Sequence, residues 1–235
     1  MKSLFLGTAA LALTAGVAMA DTVRLGTEGA YPPYNFLNDA GEVDGFEREL
    51  GDELCKRAEL DCEWVTNDWD SIIPNLLSGN YDTIIAGMSI TEERKEVVSF
   101  TQGYTRPSPS AYAALSDVDV NSAVVSAQAS TIQSSHVAST GATLVEFPTP
   151  DETIAAVTAG EVDAVMADKD FLTPIVEETD LQFIAEDVFL GDGIGMAFRQ
   201  SDDELRAKFD AAIDTMKADG SLNALLDKWE IEGKF

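Results

Sequence analysis

Basic residues are scarce in this sequence, which carries 15 Lys plus Arg against 42 Asp plus Glu. Removal of a leader over residues 1–20, considered below, takes away one lysine and leaves 14 minus 42, or −28, formal charges. Such a chain repels the phosphate backbone, which excludes nucleic acid as a partner. The same charge favours a soluble monomer, and we interpret it as a sign of a saline habitat.

Long apolar runs are missing too, except at the start of the chain. Residues 1–20 combine one positive charge at Lys2, an apolar run over 4–17 and the sequence Ala18-Met19-Ala20 before Asp21. This pattern is typical of a secretory signal peptide with an A-x-A cleavage site. A membrane anchor fits less well, because the run is short and contains glycine and threonine. We therefore predict a signal peptide over 1–20 and a periplasmic protein.

Cysteine and histidine are rare. The two cysteines, Cys55 and Cys62, both follow the predicted leader, and a disulfide is the expected state of such a pair in an oxidising compartment. The single histidine, His136, is distant in sequence and has no nucleophile paired to it by a motif. The sequence therefore predicts no metal site and no cofactor.

One cation stands at the unfavourable end of a predicted helix. Thr91 is suited to cap a helix that follows a buried strand, and Arg94 then falls in the first turn, at the positive end of the dipole. Arg94 needs an anion, and two interpretations are open. It pairs with neighbouring glutamates on a solvated face, or it forms a carboxylate cradle with the N–H of Gly87 and the hydroxyl of Ser89.

The chain contains an internal repeat, in which residues 76–87 align without gaps on 157–168 at an offset of 81. Chance is the alternative, since glycine after a helix and an apolar strand are both common. The preceding strand and helix match as well, so we infer two lobes of similar βα construction. The identical pairs are Gly79 with Gly160, Asp82 with Asp163, and Ala86 with Ala167.

Ligands of parallel α/β sheets bind beyond the carboxyl ends of the strands. The repeat therefore places Gly87 and Asp168 at equivalent positions facing a cleft. Residues 130–133 read as a capping box that opens a helix, whose N-terminus with Thr131 suits an anion. With Arg94 on one wall and Asp168 on the other, the pattern suits a zwitterion.

Three further residues are candidates for the same cleft. Glu28 and Tyr31 follow the predicted first strand over 23–27, and Trp69 begins a helix that Asp68 is expected to cap. Each has an ordinary alternative, namely a solvated loop carboxylate for Glu28 and packing for the two aromatic residues. For Trp69 we expect exposure, because it lies in a first turn between two aspartates.

A late predicted strand over 193–199 returns the chain to its starting lobe. We expect lobe one to comprise 21–110 and 197–235, and lobe two to comprise 111–196. The crossings near 111–114 and 195–198 would form a hinge.

The motifs together resemble a known family, the extracytoplasmic solute-binding proteins of ABC importers, in the polar amino acid-binding group. The resemblance covers the chain after its leader and implies the two-lobe, type II periplasmic binding protein fold, an α/β architecture in which each lobe is a mixed sheet flanked by helices. Its motifs are Gly26-Thr-Glu28-Gly-Ala-Tyr31-Pro-Pro-Tyr-Asn35, Trp69-Asp-Ser-Ile-Ile-Pro74, Ala86-Gly-Met-Ser-Ile-Thr-Glu-Glu-Arg94 and Lys217-Ala-Asp-Gly-Ser221.

The resemblance also implies roles. Arg94, Ser89 and Thr131 would hold an α-carboxylate, and Asp168 would bind the α-ammonium. Tyr31 and Trp69 would enclose the side chain, with backbone carbonyls of Ala86 and Gly87 contributing. An acid at the position of Glu28 is a feature shared with family members that take arginine, lysine, ornithine or opines. The segment Glu53-Leu-Cys55-Lys-Arg57 with Cys62 resembles the disulfide-bonded segment of the members that bind lysine, arginine, ornithine and histidine. Ala129 departs from the family, where glycine is usual.

We therefore expect a binding protein that takes an L-amino acid, most of all a cationic one, and delivers it to the permease subunits of an importer. Catalysis is not expected. The alternative from another class is an enzyme on the same scaffold, such as a periplasmic dehydratase, with Glu28 or Asp168 as general acid or base. A receptor sensor domain fits less well, because the sequence shows no signalling domain.

Overall fold

The structure is a computed structural model that describes residues 22–235, so the predicted signal peptide lies outside the described residues. Within 22–235, no helix has the length and apolar character needed to cross a bilayer. The strands are β1 (Val23–Thr27), β2 (Ala30–Tyr31), β3 (Asn35–Leu37), β4 (Val43–Asp44), β5 (Cys62–Thr66), β6 (Thr83–Ile84), β7 (Ser99–Phe100), β8 (Pro109–Ala114), β9 (Val124–Gln128), β10 (Thr143–Phe147), β11 (Ala164–Asp168), β12 (Gln182–Phe189) and β13 (Ala197–Phe198). The helices are α1 (Phe46–Arg57), α2 (Ile72–Leu77), α3 (Glu92–Lys95), α4 (Ile132–Ala138), α5 (Pro150–Thr158), α6 (Lys169–Glu178), α7 (Asp203–Asp219) and α8 (Ser221–Lys228).

The first lobe is built on a mixed sheet of order β5-β1-β6-β13-β7, in which β1 is parallel to β5 and β6 and β13 is antiparallel to its neighbours. Helices α1, α7 and α8 share its main core with β1. Their apolar residues recur every three or four positions, which turns one face of each helix toward the sheet. The fully buried members include Leu25, Phe46, Leu50, Leu54, Phe209, Ile213, Leu222 and Leu226.

The second lobe is a mixed sheet of order β10-β9-β11-β8-β12, with β9 parallel to β10 and β11 and the other pairs antiparallel. The central strands β8 and β11 are buried on both faces, because helices cover both. Side chains of a strand alternate between faces. Ala111, Ala113 and Val165 accordingly pack toward α5 and α6, whereas Tyr112 and Met166 pack toward α4.

The two copies of the internal repeat have the same local structure in the two lobes. Asp82 accepts a hydrogen bond from the backbone N–H of Arg24 at 3.0 Å, and Asp163 accepts one from the N–H of Val124 at 2.8 Å. In each lobe the repeated aspartate thus ties the start of its strand to the neighbouring parallel strand. The matched glycines, Gly79 and Gly160, both have positive φ, a conformation that glycine adopts without steric cost.

The chain passes between the sheets twice, over 101–108 and 190–196. The first crossing therefore precedes 111–114, which belong to β8 inside the second sheet, so its predicted position was wrong. The crossings are hydrogen-bonded to each other: the N–H of Thr101 donates to the carbonyl of Met196 at 3.0 Å, and that of Tyr104 donates to the carbonyl of Ile194 at 2.8 Å. The two segments form one paired connection.

Local predictions have mixed outcomes. Thr149 and Glu152 form the predicted capping box at the start of α5, and Cys55 is disulfide-bonded to Cys62. The predicted cap at Asp68 was wrong, because its side chain makes no cap hydrogen bond and the chain first forms a 3-10 turn over 69–71 before α2.

Candidate functional site

One cavity lies between the lobes. All nine ligand-binding candidates from the sequence line it, and they come from both lobes. Most lie just after the carboxyl ends of strands, where side chains and backbone are free to face a ligand. The lining residues are Glu28, Tyr31, Trp69, Ala86, Gly87, Ser89, Arg94, Gln128, Thr131, Ile132, Gln133 and Asp168.

Arg94 supplies the positive charge of the cavity. Thr91 caps α3 by accepting from the N–H of Arg94 at 3.1 Å, and the guanidinium donates to the carbonyl of Ser89 at 2.9 Å and lies over the Trp69 ring at 5.4 Å. Within 22–235, no carboxylate oxygen comes within 4.0 Å of it, so the interpretation as a surface ion pair was wrong. Burial lowers the pKa of Arg94 to about 10, which leaves it charged at neutral pH.

Of the two groups expected beside Arg94 in the carboxylate cradle, only the Ser89 hydroxyl is free to bind a ligand. The N–H of Gly87 is not available to a ligand, because it donates to Glu47 at 2.7 Å. The hydroxyl of Ser89, a 7% exposed residue, makes no hydrogen bond within the described chain and stays available. The sequence does not indicate that Glu47 is the partner of Gly87, because the two residues are 40 positions apart and come together only in the fold.

Asp168 ends β11 and supplies a negative charge from the second lobe. Its carboxylate accepts from the hydroxyl of Tyr31 at 2.9 Å, from Nε2 of Gln133 at 2.8 Å and from the hydroxyl of Ser110 at 3.5 Å. Burial raises the pKa of Asp168 to about 6, against the effect of the Tyr31 hydrogen bond. Asp168 is therefore largely ionised at neutral pH while it remains poorly hydrated.

Glu28 supplies a second carboxylate. It accepts from Nε2 of Gln128 at 2.6 Å, a hydrogen bond that joins the lobes. Burial raises the pKa of Glu28 to about 7, and the Gln128 hydrogen bond works against this shift. Because Glu28 lines the cavity and is partly buried, the structure favours the site interpretation over a solvated loop carboxylate.

The turn before α4 is built differently from the prediction. Thr131, not Ser130, is the N-cap: its hydroxyl accepts from the N–H of Ser134 at 3.1 Å and donates to the carbonyl of Gln128 at 2.7 Å. The predicted capping box over 130–133 was therefore wrong, and Gln133 turns to Asp168 instead. The left-handed residue of this turn is Ser130, with φ +60, so Ala129 does not need the freedom of glycine.

Aromatic residues close the cavity across the lobes. The Tyr31 ring is stacked on Phe171 of the second lobe, with centroids 4.5 Å apart and planes at 5°. Trp69 is 9% exposed and packs in the first-lobe core, so the expected exposure was wrong, yet its indole also lines the cavity and donates to the carbonyl of Ser130 at 3.4 Å.

Gln128, Ile132 and Gln133 are lining residues that sequence reasoning did not propose. Gln128 could have been found, because it ends β9, the strand beside β11, and strand ends of one sheet share an edge. Gln133 was assigned to a capping role instead. Nothing in the local pattern marks Ile132.

Two lobes around a charged, partly desolvated cavity define a solute-binding protein. The chain belongs to the bacterial extracellular solute-binding proteins, family 3, whose family model matches residues 23–232.

Named relatives agree with this assignment. A crystal structure of a periplasmic His/Glu/Gln/Arg/opine family-binding protein from Silicibacter pomeroyi in complex with lysine superposes with a TM-score of 0.87 at 68% identity, over 88% of this chain and 96% of that one. The L-arginine-binding protein of Pseudomonas aeruginosa is 32% identical over 88% of this chain and 87% of its own length. The histidine-binding periplasmic protein of Salmonella typhimurium is also 32% identical, over 93% and 91%.

Proposed function

We propose that this protein binds a cationic L-amino acid in the periplasm and delivers it to the permease subunits of an ABC importer. One observation carries the proposal. A single cavity presents a guanidinium with no carboxylate within 4.0 Å and two carboxylates, Glu28 and Asp168, with no cationic side chain within 4.0 Å among residues 22–235.

Charge counting selects the ligand class. Lysine, arginine and ornithine each carry one carboxylate and two cations, which mirror the one cation and two carboxylates of the cavity. A neutral amino acid would leave the charge of Glu28 with the Gln128 hydrogen bond but without a cation, and a buried charge that no opposite charge compensates is costly. The relatives described above are named for binding arginine or histidine or were crystallised with lysine, which supports the same class.

Each end of the ligand has its partners. Two of the five N–H donors of Arg94 bond to carbonyls, and the others, with the hydroxyl of Ser89, suit the α-carboxylate. Thr131 approaches the same end from the second lobe. Asp168 is assigned to the α-ammonium and Glu28 to the distal cation. The remaining lining residues enclose the aliphatic part, with Tyr31 and Trp69 as walls and the carbonyls of Ala86 and Gly87 as further acceptors.

Closure follows from these contacts. The ligand touches both lobes, which the crossings over 101–108 and 190–196 join. It favours the closed form by its differential interactions with that form. We further propose a monomer, since the large excess of negative charge opposes association between copies of the chain.

Catalysis is the competing function, and the raised pKa values of Glu28 and Asp168 are of the kind that a general acid or base has. Burial beside a site for ammonium groups explains both shifts without a reaction. Incubation with candidate amino acids and with hydroxylated cyclic acids, followed by mass analysis, separates the two functions, because a binding protein returns every compound unchanged.

Calorimetry on the exported chain tests the proposal. L-lysine, L-arginine, L-ornithine and L-histidine should bind more tightly than L-glutamine and L-leucine. Arg94→Ala should abolish binding, and Asp168→Asn should weaken it by about 100-fold or more, since each change leaves a desolvated charge unpaired. Arg48→Ala and Asp52→Asn, a surface pair on α1, are matched controls that should bind like wild type. Wild-type affinity in Arg94→Ala or Asp168→Asn would refute the site.

A further inference from the structure

Glu47 is a buried acid that lines no part of the cavity. It lies in the first turn of α1, its side chain is fully buried, and no cationic side chain comes within 4.0 Å of it among the residues the structure describes. Its carboxylate instead accepts from three donors: the N–H of Gly87 at 2.7 Å, Nδ2 of Asn35 at 2.7 Å and the hydroxyl of Tyr104. Burial raises the pKa of Glu47, and the three hydrogen bonds oppose that rise. An acid buried at this cost suggests a specific role.

The network extends to a second backbone group beside the cavity. Asn35 is also fully buried, and its Oδ1 accepts from the N–H of Gly29 at 2.7 Å. The chain of donors therefore runs in one direction, from Gly29 to Asn35 and from Asn35 to Glu47. Gly29 follows the cavity residue Glu28, and Gly87 is a cavity residue itself.

The backbone conformations at Gly29 and Gly87 depend on hydrogen bonds to other residues. Gly29 has φ +74 and Gly87 has φ +61, in the left-handed region that glycine enters freely and leaves as freely. Neither has a side chain of its own to lock its loop. A change at Gly87 would move a backbone segment that lines the cavity, and a change at Gly29 would move the neighbouring Glu28.

We propose that Glu47 is a positioning residue for the binding cavity, which acts with Asn35 to fix the two glycine loops of the first-lobe wall. Tyr104, the third donor to Glu47, lies on the first crossing between the lobes and outside the two glycine loops. The effect on ligand rests on the proposed function, whereas the effect on the two loops does not.

The direction of the donors makes the proposal testable with isosteric variants. One oxygen of Glu47 accepts from Asn35 and the other from Gly87 and Tyr104. Glu47→Gln therefore places an amide N–H₂ against either the N–H₂ of Asn35 or the N–H of Gly87, and turning the Asn35 amide around would place its N–H₂ against the N–H of Gly29. Asn35→Asp places two carboxylates side by side. The double variant Asn35→Asp with Glu47→Gln restores every donor–acceptor pair, because the new amide at position 47 then donates to the new carboxylate at position 35, which still accepts from Gly29.

Amide hydrogen exchange of the exported chain, with resonances assigned by NMR, is the first measurement. We expect exchange of the Gly29 and Gly87 amides to be about tenfold faster or more in either single variant and to return toward wild type in the double variant. L-lysine affinity, the second measurement, should fall about 10- to 100-fold in the single variants and recover to within about threefold in the double variant. A single variant that fails to fold leaves the double variant to decide.

Tyr104→Phe is the matched control, because it removes one hydrogen bond from Glu47 and keeps both glycine loops bonded. It should leave exchange at Gly29 and Gly87 and L-lysine affinity near wild type. The proposal is overturned if the double variant is no better than the single ones, or if Tyr104→Phe reproduces the loss in Glu47→Gln. A wild-type protein that binds no amino acid would refute the proposed function, while the exchange measurement would still decide the role of Glu47.

Discussion

The hydroxyl of Tyr31 in the first lobe donates to the carboxylate of Asp168 in the second at 2.9 Å and accepts from the backbone N–H of the same residue at 3.2 Å. An aromatic wall of the cavity is thereby joined to the acid on the facing wall. The contact positions Asp168 and lowers its pKa against the effect of burial.

Tyr31→Phe should weaken binding of L-lysine by about fivefold at pH 8, because the loss of one hydrogen bond reduces the binding free energy by about 1 kcal/mol. The ring of the new phenylalanine still stacks on Phe171. The loss should be larger at pH 6, because without the Tyr31 hydroxyl the pKa of Asp168 rises above its present value of about 6. Calorimetry at both pH values measures this. Tyr34→Phe is the control, since it removes another hydrogen bond between the lobes, to Asp170, and should leave the pH dependence unchanged.

Glu28→Gln should stabilise the protein at pH 8 in the absence of added amino acid. The pKa of Glu28 is raised to about 7 in the folded state, so its favourable contribution is complete below the unfolded-state value of about 4.3 and is lost as pH rises through about 7. With allowance for solvent screening we expect a gain of about 1 to 2 kcal/mol, or about 4 °C in Tm.

The same variant should unfold nearly like wild type at pH 4, where Glu28 is protonated in the folded state and mostly protonated in the unfolded state. Its affinity for L-lysine should fall much more than its affinity for L-glutamine. Thermal unfolding at pH 4 and pH 8 checks the first part and calorimetry the second. An equal difference in Tm at both pH values would contradict the role assigned to burial.

Ser89→Ala and Thr131→Val form a contrasting pair. The Ser89 hydroxyl makes no hydrogen bond within the described chain, so its removal should weaken L-lysine binding by about five- to tenfold at unchanged stability. The Thr131 hydroxyl caps α4, so Thr131→Val should also cost about 1 kcal/mol of unfolding free energy. Urea unfolding and calorimetry separate the two effects. A stability loss in Ser89→Ala would show that its hydroxyl has a structural partner.

Removal of the disulfide should affect stability alone. Cys55 and Cys62 close a short loop between α1 and β5, and neither residue lines the cavity. The variant Cys55→Ser with Cys62→Ser should lose about 2 to 3 kcal/mol of unfolding free energy. Urea unfolding with and without reductant measures it. Affinity for L-lysine should stay within about twofold of wild type, and a larger loss would place the loop in contact with the site.

The sequence was sufficient for the parts of the site that local chemistry determines. Arg94 in a first turn, Asp168 at a strand end and the repeat that relates Asp168 to Gly87 are all visible in short stretches, and these residues do line one cavity. The same holds for the repeated Asp82 and Asp163, whose spacing already indicated two similar lobes.

What the sequence did not predict depends on distant contacts. Glu47 in a helix first turn has the pattern of a solvated acid, and its burial follows only from the packing of Asn35 and Tyr104 around it. Gln133 fits a capping box by spacing alone, and only the approach of Asp168 turns it away.

The paired crossings have a consequence for how a ligand is released. Hydrogen bonds between Thr101 and Met196 and between Tyr104 and Ile194 join the two segments, so we expect them to bend together and the lobes to rotate apart without sliding past each other. Tyr31 would then meet Asp168 in the same alignment each time the cavity closes.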